Sequence, residues 1–141
     1  MSRINDDLSR LRAGAFDVDG VLSPSTVPMA DNGEPQRMVN IKDGYALQLA
    51  VRSGLHIAII SGARTENIRE RYRMLGIEDI YLGASHKLPV LKDWMAAKGL
   101  NPEEVAFVGD DIPDIPPMDF VGLAVAPRDA AADVKAVATY I

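Results

Sequence analysis

The chain has 141 residues, of which 48% are hydrophobic and 25% charged, and its formal net charge is −5. This composition argues against disorder, and the acidic balance against a nucleic-acid surface. With no cysteine, disulfides and thiolate metal sites are excluded. The length fits one domain, 1–141, able to bury a single core. Met1 to Arg12 is polar and carries no apolar leader, and no apolar run reaches membrane-span length. The expected setting is cytoplasmic, with no membrane partner.

Residues 1–12 read as a polar lead-in, irregular or a short helical arm. The run Ala13-Gly14-Ala15-Phe16 reads as a short buried strand ending in Asp17-Val18-Asp19-Gly20, two carboxylates one residue apart before a turn glycine. Residues 21–41 contain Pro24, Pro28, Pro35 and the turn Asp31-Asn32-Gly33-Glu34, which predicts a projecting β-hairpin flap. From Asp43, placed to cap, an amphipathic helix is expected to run to Gly54. Leu55 to Ile60 is an unbroken apolar run, typical of a strand covered on both faces, and it ends at Ser61-Gly62.

A helix is predicted from about Thr65 to Leu75, a short strand at Ile80-Tyr81-Leu82, and a helix from Lys87 to Lys98 closed by Gly99. Leu88, Leu91, Trp94 and Met95 form the expected buried stripe of that last helix. Asn101-Pro102-Glu103-Glu104 looks like a capped turn, and Val105 to Val108 like another buried strand ending at Gly109-Asp110-Asp111. The prolines that follow, at 113, 116 and 117, argue against a long helix. Val121 to Val125 makes a fifth strand, Ala130 to Ala136 a short helix, and Thr139-Tyr140-Ile141 the start of a sixth strand. Strands that alternate with helices and are apolar on both faces predict an α/β, Rossmann-like, doubly wound and mainly parallel sheet.

In such a sheet strands one and four meet at the topological switch point, and ligands bind outside their carboxyl ends. Asp17 and Asp19 leave strand one, and Asp110, Asp111 and Asp114 leave strand four. Ser61 and Gly62 leave strand two, and Lys87 opens the helix after strand three. Several carboxylates on one rim imply a cation, for which Mg²⁺ is the hard, oxygen-preferring choice. A lysine, a hydroxyl and helix-start N–H groups suit an anionic phosphoryl group. Without cysteine or a Ser-His pair, the plausible nucleophile is a carboxylate. His56 reads as structural, and His86 lies beside Lys87 in sequence.

Asp17-Val18-Asp19-Gly20, Ser61-Gly62, Lys87, and Gly109-Asp110-Asp111 with Asp114 resemble, in order, the four motifs of the haloacid dehalogenase superfamily. The resemblance implies Asp17 as nucleophile and Asp19 as general acid/base, with Ser61 and Lys87 on the phosphoryl oxygens. It implies Mg²⁺ on Asp17, Asp110 and the Asp19 carbonyl, with Asp111 and Asp114 supporting the metal and lysine. Asp17 to Leu22, the flap, and Asn40-Ile41-Lys42-Asp43-Gly44-Tyr45-Ala46 resemble more narrowly the 3-deoxy-D-manno-octulosonate 8-phosphate phosphatases. These are tetrameric, have no cap domain and serve lipopolysaccharide precursor synthesis. The resemblance therefore implies a homotetramer with the flap on a neighbouring subunit and a small sugar-acid phosphate as substrate. Neither Gly20 to Ile41 nor Ser61 to Lys87 leaves room for a cap domain.

The sequence departs from that family at Ala63, which stands before Arg64 where an arginine often follows the Ser/Thr-Gly pair directly. The family also carries a glycine-rich tail, whereas this sequence stops at Ile141. With Gly62, Arg64 is the expected substrate contact. Two other readings compete within the relatives: a phosphatase of a nine-carbon sugar acid, and a non-catalytic oligomerisation module like those attached to sialic-acid cytidylyltransferases. A response-regulator receiver would need its phospho-acceptor after strand three, where this chain has Gly83-Ala84-Ser85.

Overall fold

A computed structural model describes residues 3–141. Five parallel strands form its sheet: β1 (Ala13–Phe16), β2 (His56–Ile60), β3 (Asp79–Tyr81), β4 (Val105–Val108) and β5 (Leu123–Val125). Their order is β3-β2-β1-β4-β5, so β1 has β2 on one side and β4 on the other. The register aligns Phe16 with Ile59 and with Val108, which ends these strands almost level. Strands are added outward on one side of β1 and then on the other, so the order reverses there and the switch point lies at the carboxyl ends of β1 and β4. Tyr140 adds one parallel bridge to Val125, so the expected sixth strand is reduced to a single pair.

The helices are α1 (Arg3–Ser9), α2 (Ile41–Arg52), α3 (Glu66–Arg73), α4 (Lys87–Lys98), α5 (Ile115–Phe120) and α6 (Ala132–Val137). One sheet face packs Ala15, Ala58, Ile60 and Phe107 against Leu91, Trp94, Met118 and Val134 from α4, α5 and α6. The other packs Ile57 and Ile59 against Leu47 of α2 and Ile68 and Tyr72 of α3. Such two-sided burial is what the unbroken apolar strands require. The expected N-terminal arm contains α1, and its first two residues lie outside the described residues.

Two expectations are corrected. Helix α2 starts at Ile41, capped by Asn40, whose side chain accepts from the Lys42 and Asp43 N–H groups at 2.9 and 3.0 Å. Asp43 therefore lies inside the first turn, where a carboxylate still favours the helix dipole. The 21–41 flap is hairpin-shaped but has no regular arms: one antiparallel bridge, Met29 to Pro35, closes it. Pro28 O accepts from the Gln36 N–H, but Pro28 has no N–H to return, so pairing does not propagate beyond it.

Candidate active site

Asp17 follows β1 directly, and its N–H still donates to Val108 O at 3.1 Å, extending the ladder into the site. The chain then turns tightly, with the N–H groups of Val21, Leu22 and Ser23 all converging on Val18 O. Gly20 makes the turn possible, since its φ is +84° and a Cβ there would fall 1.7 Å from Asp110 Oδ2. This close approach carries the β1 loop onto the β4 loop.

Lys87, the first residue of α4, is buried, and its Nζ lies 3.0 Å from Asp17 Oδ1 and 2.7 Å from Asp114 Oδ1. Asp114 is 1% exposed, and its second oxygen accepts from the N–H groups of Asp110 and Asp111. It is thereby satisfied at both oxygens, which suits a support rather than a ligand. Asp110 differs, because its Oδ1 is buried and has no hydrogen-bond partner. Asp111 is exposed and accepts from the Ile112 N–H, capping the turn that carries Asp114.

Oxygens of Asp17, Asp110 and Asp114 lie within 4.8 Å of one another. Three carboxylates against the single ammonium of Lys87 leave the cluster short of positive charge. Burial, with the Asp114 carboxylate, pushes Asp17 up to about 7 although Lys87 opposes the shift. Burial and Asp114 likewise push Asp110 up to about 6. Burial alone would pull the Lys87 ammonium down, but Asp17 and Asp114 outweigh it and the net shift is upward.

An orphaned carboxylate oxygen beside a second carboxylate is the donor set that Mg²⁺ takes, so these residues fit that ion. Binding requires Asp17 and Asp110 ionised, so it displaces protons. In the metal-free protein these raised carboxyls hold protons that the unfolded chain has released. Their contribution to stability therefore falls as pH rises from about 4 to about 7. Mg²⁺ should consequently raise the melting temperature far more at pH 8 than at pH 5.5. Calorimetry with and without chelator checks this, and an increment independent of pH would refute it.

A cavity of about 510 Å³ opens above the cluster, lined by Asp17, Asp19, Ser61, Gly62, Lys87, Asp110, Asp111 and Asp114 among others. The structure thus gathers every expected site residue except Arg64. Ser61, 1% exposed, directly follows β2, and its Oγ accepts from the Ala63 N–H at 3.1 Å. Arg64 is exposed and lines a neighbouring recess with Glu34, Arg37 and Thr65. His86 is exposed at the α4 cap position and is not in the cavity lining.

Arg37 was not foreseen. Its Nε and Nη2 donate to the two oxygens of Asp19 at 2.7 and 2.9 Å, and its side chain is 8% exposed. Thr65 Oγ1 accepts weakly from Arg37 and donates to Glu34 Oε2, tying the flap to the start of α3. The available signal was that Arg37 is the only basic residue from Val21 to Asn40, in a loop bordering a rim of carboxylates. Ser25, Ala63, Ala84, Ser85 and Pro113 complete the lining, and the two serines had no sequence signature.

Comparison with known proteins agrees with this geometry. Residues 76–141 match the family model of haloacid dehalogenase-like hydrolases. The 3-deoxy-D-manno-octulosonate 8-phosphate phosphatase of Escherichia coli K12 is 42% identical over 120 residues, 85% of this chain. The matched stretch spans 64% of the length of that relative. The crystal structure of the Yersinia pestis phosphatase of that name is 36% identical, with a TM-score of 0.91 over 96% of this chain and 73% of that one. The Moraxella catarrhalis phosphatase, solved with magnesium, phosphate and KDO, is 29% identical, with a TM-score of 0.93 over 100% of this chain and 81% of that one. With the four motifs brought to one rim of a shared fold, the chain belongs to the haloacid dehalogenase-like hydrolases.

Proposed function

We propose that residues 1–141 form one phosphatase domain that hydrolyses 3-deoxy-D-manno-octulosonate 8-phosphate to the free sugar acid and phosphate, as a step toward lipopolysaccharide precursors. The observation that carries this reading is the cluster of Asp17, Lys87 and Asp114 beside the unpartnered Asp110 oxygen, at the switch point. Asp17 attacks phosphorus, the bond to the sugar oxygen breaks, and Asp19 protonates that oxygen. Asp19 then takes a proton from water, which attacks the aspartyl-phosphate and releases phosphate with Asp17 restored. Lys87, Ser61 and the N–H groups after Ser61 hold the phosphoryl oxygens. Asp17, Asp110 and the Asp19 carbonyl would hold Mg²⁺, which neutralises charge on the transferring group. Arg37 fixes the direction of the Asp19 carboxylate through two parallel hydrogen bonds.

The same reading makes the protein a cytoplasmic homotetramer in which the flap packs on a neighbour. It is supported by exposed apolar side chains on the flap and on the outer side of α2: Met29, Met38, Val39, Ile41, Tyr45 and Leu49. Ile41, Tyr45 and Leu49 share one face of α2 at four-residue spacing, an exposed apolar stripe of the kind that marks an interaction surface, and a neighbour there would roof the site. Sedimentation showing a fully active monomer would contradict this.

Phosphate release from a panel of sugar-acid phosphates, with Mg²⁺ and with chelator, tests the function. The eight-carbon substrate should give the highest kcat/KM, and chelator should abolish turnover. Preference for a nine-carbon acid would reassign the substrate, and no release from any substrate would leave an oligomerisation module. Arg64 is proposed to meet the substrate's carboxylate from its recess beside the cavity. Arg64→Ala should raise KM for the sugar-acid phosphate about 10- to 100-fold, the equivalent of a charged hydrogen bond, and spare a small aryl phosphate. Equal effects on both substrates would remove Arg64 from recognition.

A further inference from the structure

Behind the Asp19–Arg37 pair lies a second, smaller recess of about 180 Å³, between the end of the flap and α3. Its walls include Ser23, Arg37, Val39, Asn67, Arg71 and Tyr72. It thus presents two guanidinium side chains, two hydroxyl-bearing side chains and an amide, and no carboxylate lines it. Arg37 is already paired with Asp19, but Arg71 has no carboxylate within ion-pair distance among the described residues. Its Nε is buried without a hydrogen-bond partner, and so is the hydroxyl of Ser23, a residue 5% exposed.

The position of Arg71 is built into the chain. A Cβ on Gly44 would lie 2.5 Å from Arg71 Nη2, so the guanidinium occupies the space that a side chain would take in the first turns of α2. Glycine there is less favourable to the helix than alanine, because it loses more backbone freedom on folding. Arg71 lies in the last turn of α3, where the helix dipole favours a cation, and its guanidinium reaches toward the amino end of α2, where the dipole does not and where Asp43 is the first-turn carboxylate. Water in the recess could satisfy N–H and O–H groups, but it would not supply the missing negative charge. The volume is several times the roughly 30 Å³ of one water molecule, enough for a tetrahedral or planar oxyanion. Guanidinium forks bind such anions through paired hydrogen bonds.

We propose that this recess is a binding site for a small oxyanion, carboxylate or phosphate in type, held by Arg71 with Arg37 and Ser23. Because Arg37 also grips Asp19, an occupant would bear on the direction of the Asp19 carboxylate. The site rests on geometry that exists whether or not the chain is a phosphatase, and its primary test requires no turnover.

Crystals of the full chain grown with Mg²⁺ and soaked in selenate should show anomalous density within hydrogen-bond distance of Arg71. A second peak at the Asp17–Lys87 cluster serves as internal control. Arg71→Met should abolish the recess peak and spare the control. If that variant does not fold, Gly44→Ala, which favours the helix but crowds the guanidinium, should weaken selenate binding at the recess at least tenfold by calorimetric titration. Kinetics then separate the sources of the anion. A KM increase in Arg71→Met confined to the sugar-acid phosphate assigns the recess to the substrate's own carboxylate. Unchanged KM, with loss of a sulfate effect on kcat for an aryl phosphate, assigns it to a free anion. A control peak with only water in the recess at saturating selenate would overturn the proposal.

Discussion

Asp17→Asn is expected to lower turnover by on the order of 10⁴-fold or more while leaving the fold intact, the scale seen when an enzyme loses its nucleophile. The substitution keeps the shape of the side chain and its hydrogen bond from the Val18 N–H. On the proposed mechanism it removes the attacking charge and one oxygen ligand for the metal. It also relieves repulsion, because burial and Asp114 already disfavour the Asp17 anion. The metal-free variant should therefore be at least as stable as the wild type at pH 8, and Mg²⁺ should stabilise it less. Calorimetry and phosphate release read these two effects separately. An inactive variant that is also grossly destabilised would point to a structural role instead, and an active one would remove Asp17 from the chemistry.

Lys87→Met should be the most damaging single change to stability. The ammonium stands between Asp17 Oδ1 and Asp114 Oδ1, and both partners are buried. Removing one member of a buried ionic cluster costs about 3–5 kcal/mol, because the remaining charges stay unpaired. Here two carboxylates are left facing each other, and Asp17, already raised by burial and Asp114, loses the ammonium that opposed the shift, so it holds its proton to higher pH than in the wild type. The sign follows from linkage: when the folded state retains protons that the unfolded state releases, stability falls as pH rises. The deficit of the variant in urea unfolding should thus be large at pH 8 and shrink toward pH 5. A deficit that is flat with pH would mean that Lys87 acts by packing alone.

Much of this was legible in the sequence where local chemistry sets the structure. Helix α4 begins at Lys87 and ends at Lys98 as expected, because Gly99 supplies the left-handed closing residue at φ +66°. Strand β4 matches its apolar run, Val105 to Val108. The convergence of Asp17, Ser61, Lys87 and Asp110 follows from a parallel doubly wound order, which places every strand's carboxyl end on one rim. The start of α2 was misplaced because Ile41 extends a β-branched, strand-like stretch, and only the geometry of Asn40 shows the cap. Helix α5 forms despite Pro116 and Pro117 because both lie in its first turn, where no helical N–H partner is needed. Arg37 was missed for another reason: its pairing with Asp19 spans 18 positions of loop and follows no period.

The most direct test of the central claim, that Asp17 carries the phosphoryl group, is rapid acid quench of wild-type protein turning over the sugar-acid phosphate with Mg²⁺. Peptide mass mapping should find one phosphoryl adduct on the peptide containing Asp17, absent without Mg²⁺ and absent from Asp17→Asn. An adduct on any other residue, or undiminished turnover with no covalent phosphoryl group at any quench time, would contradict the account.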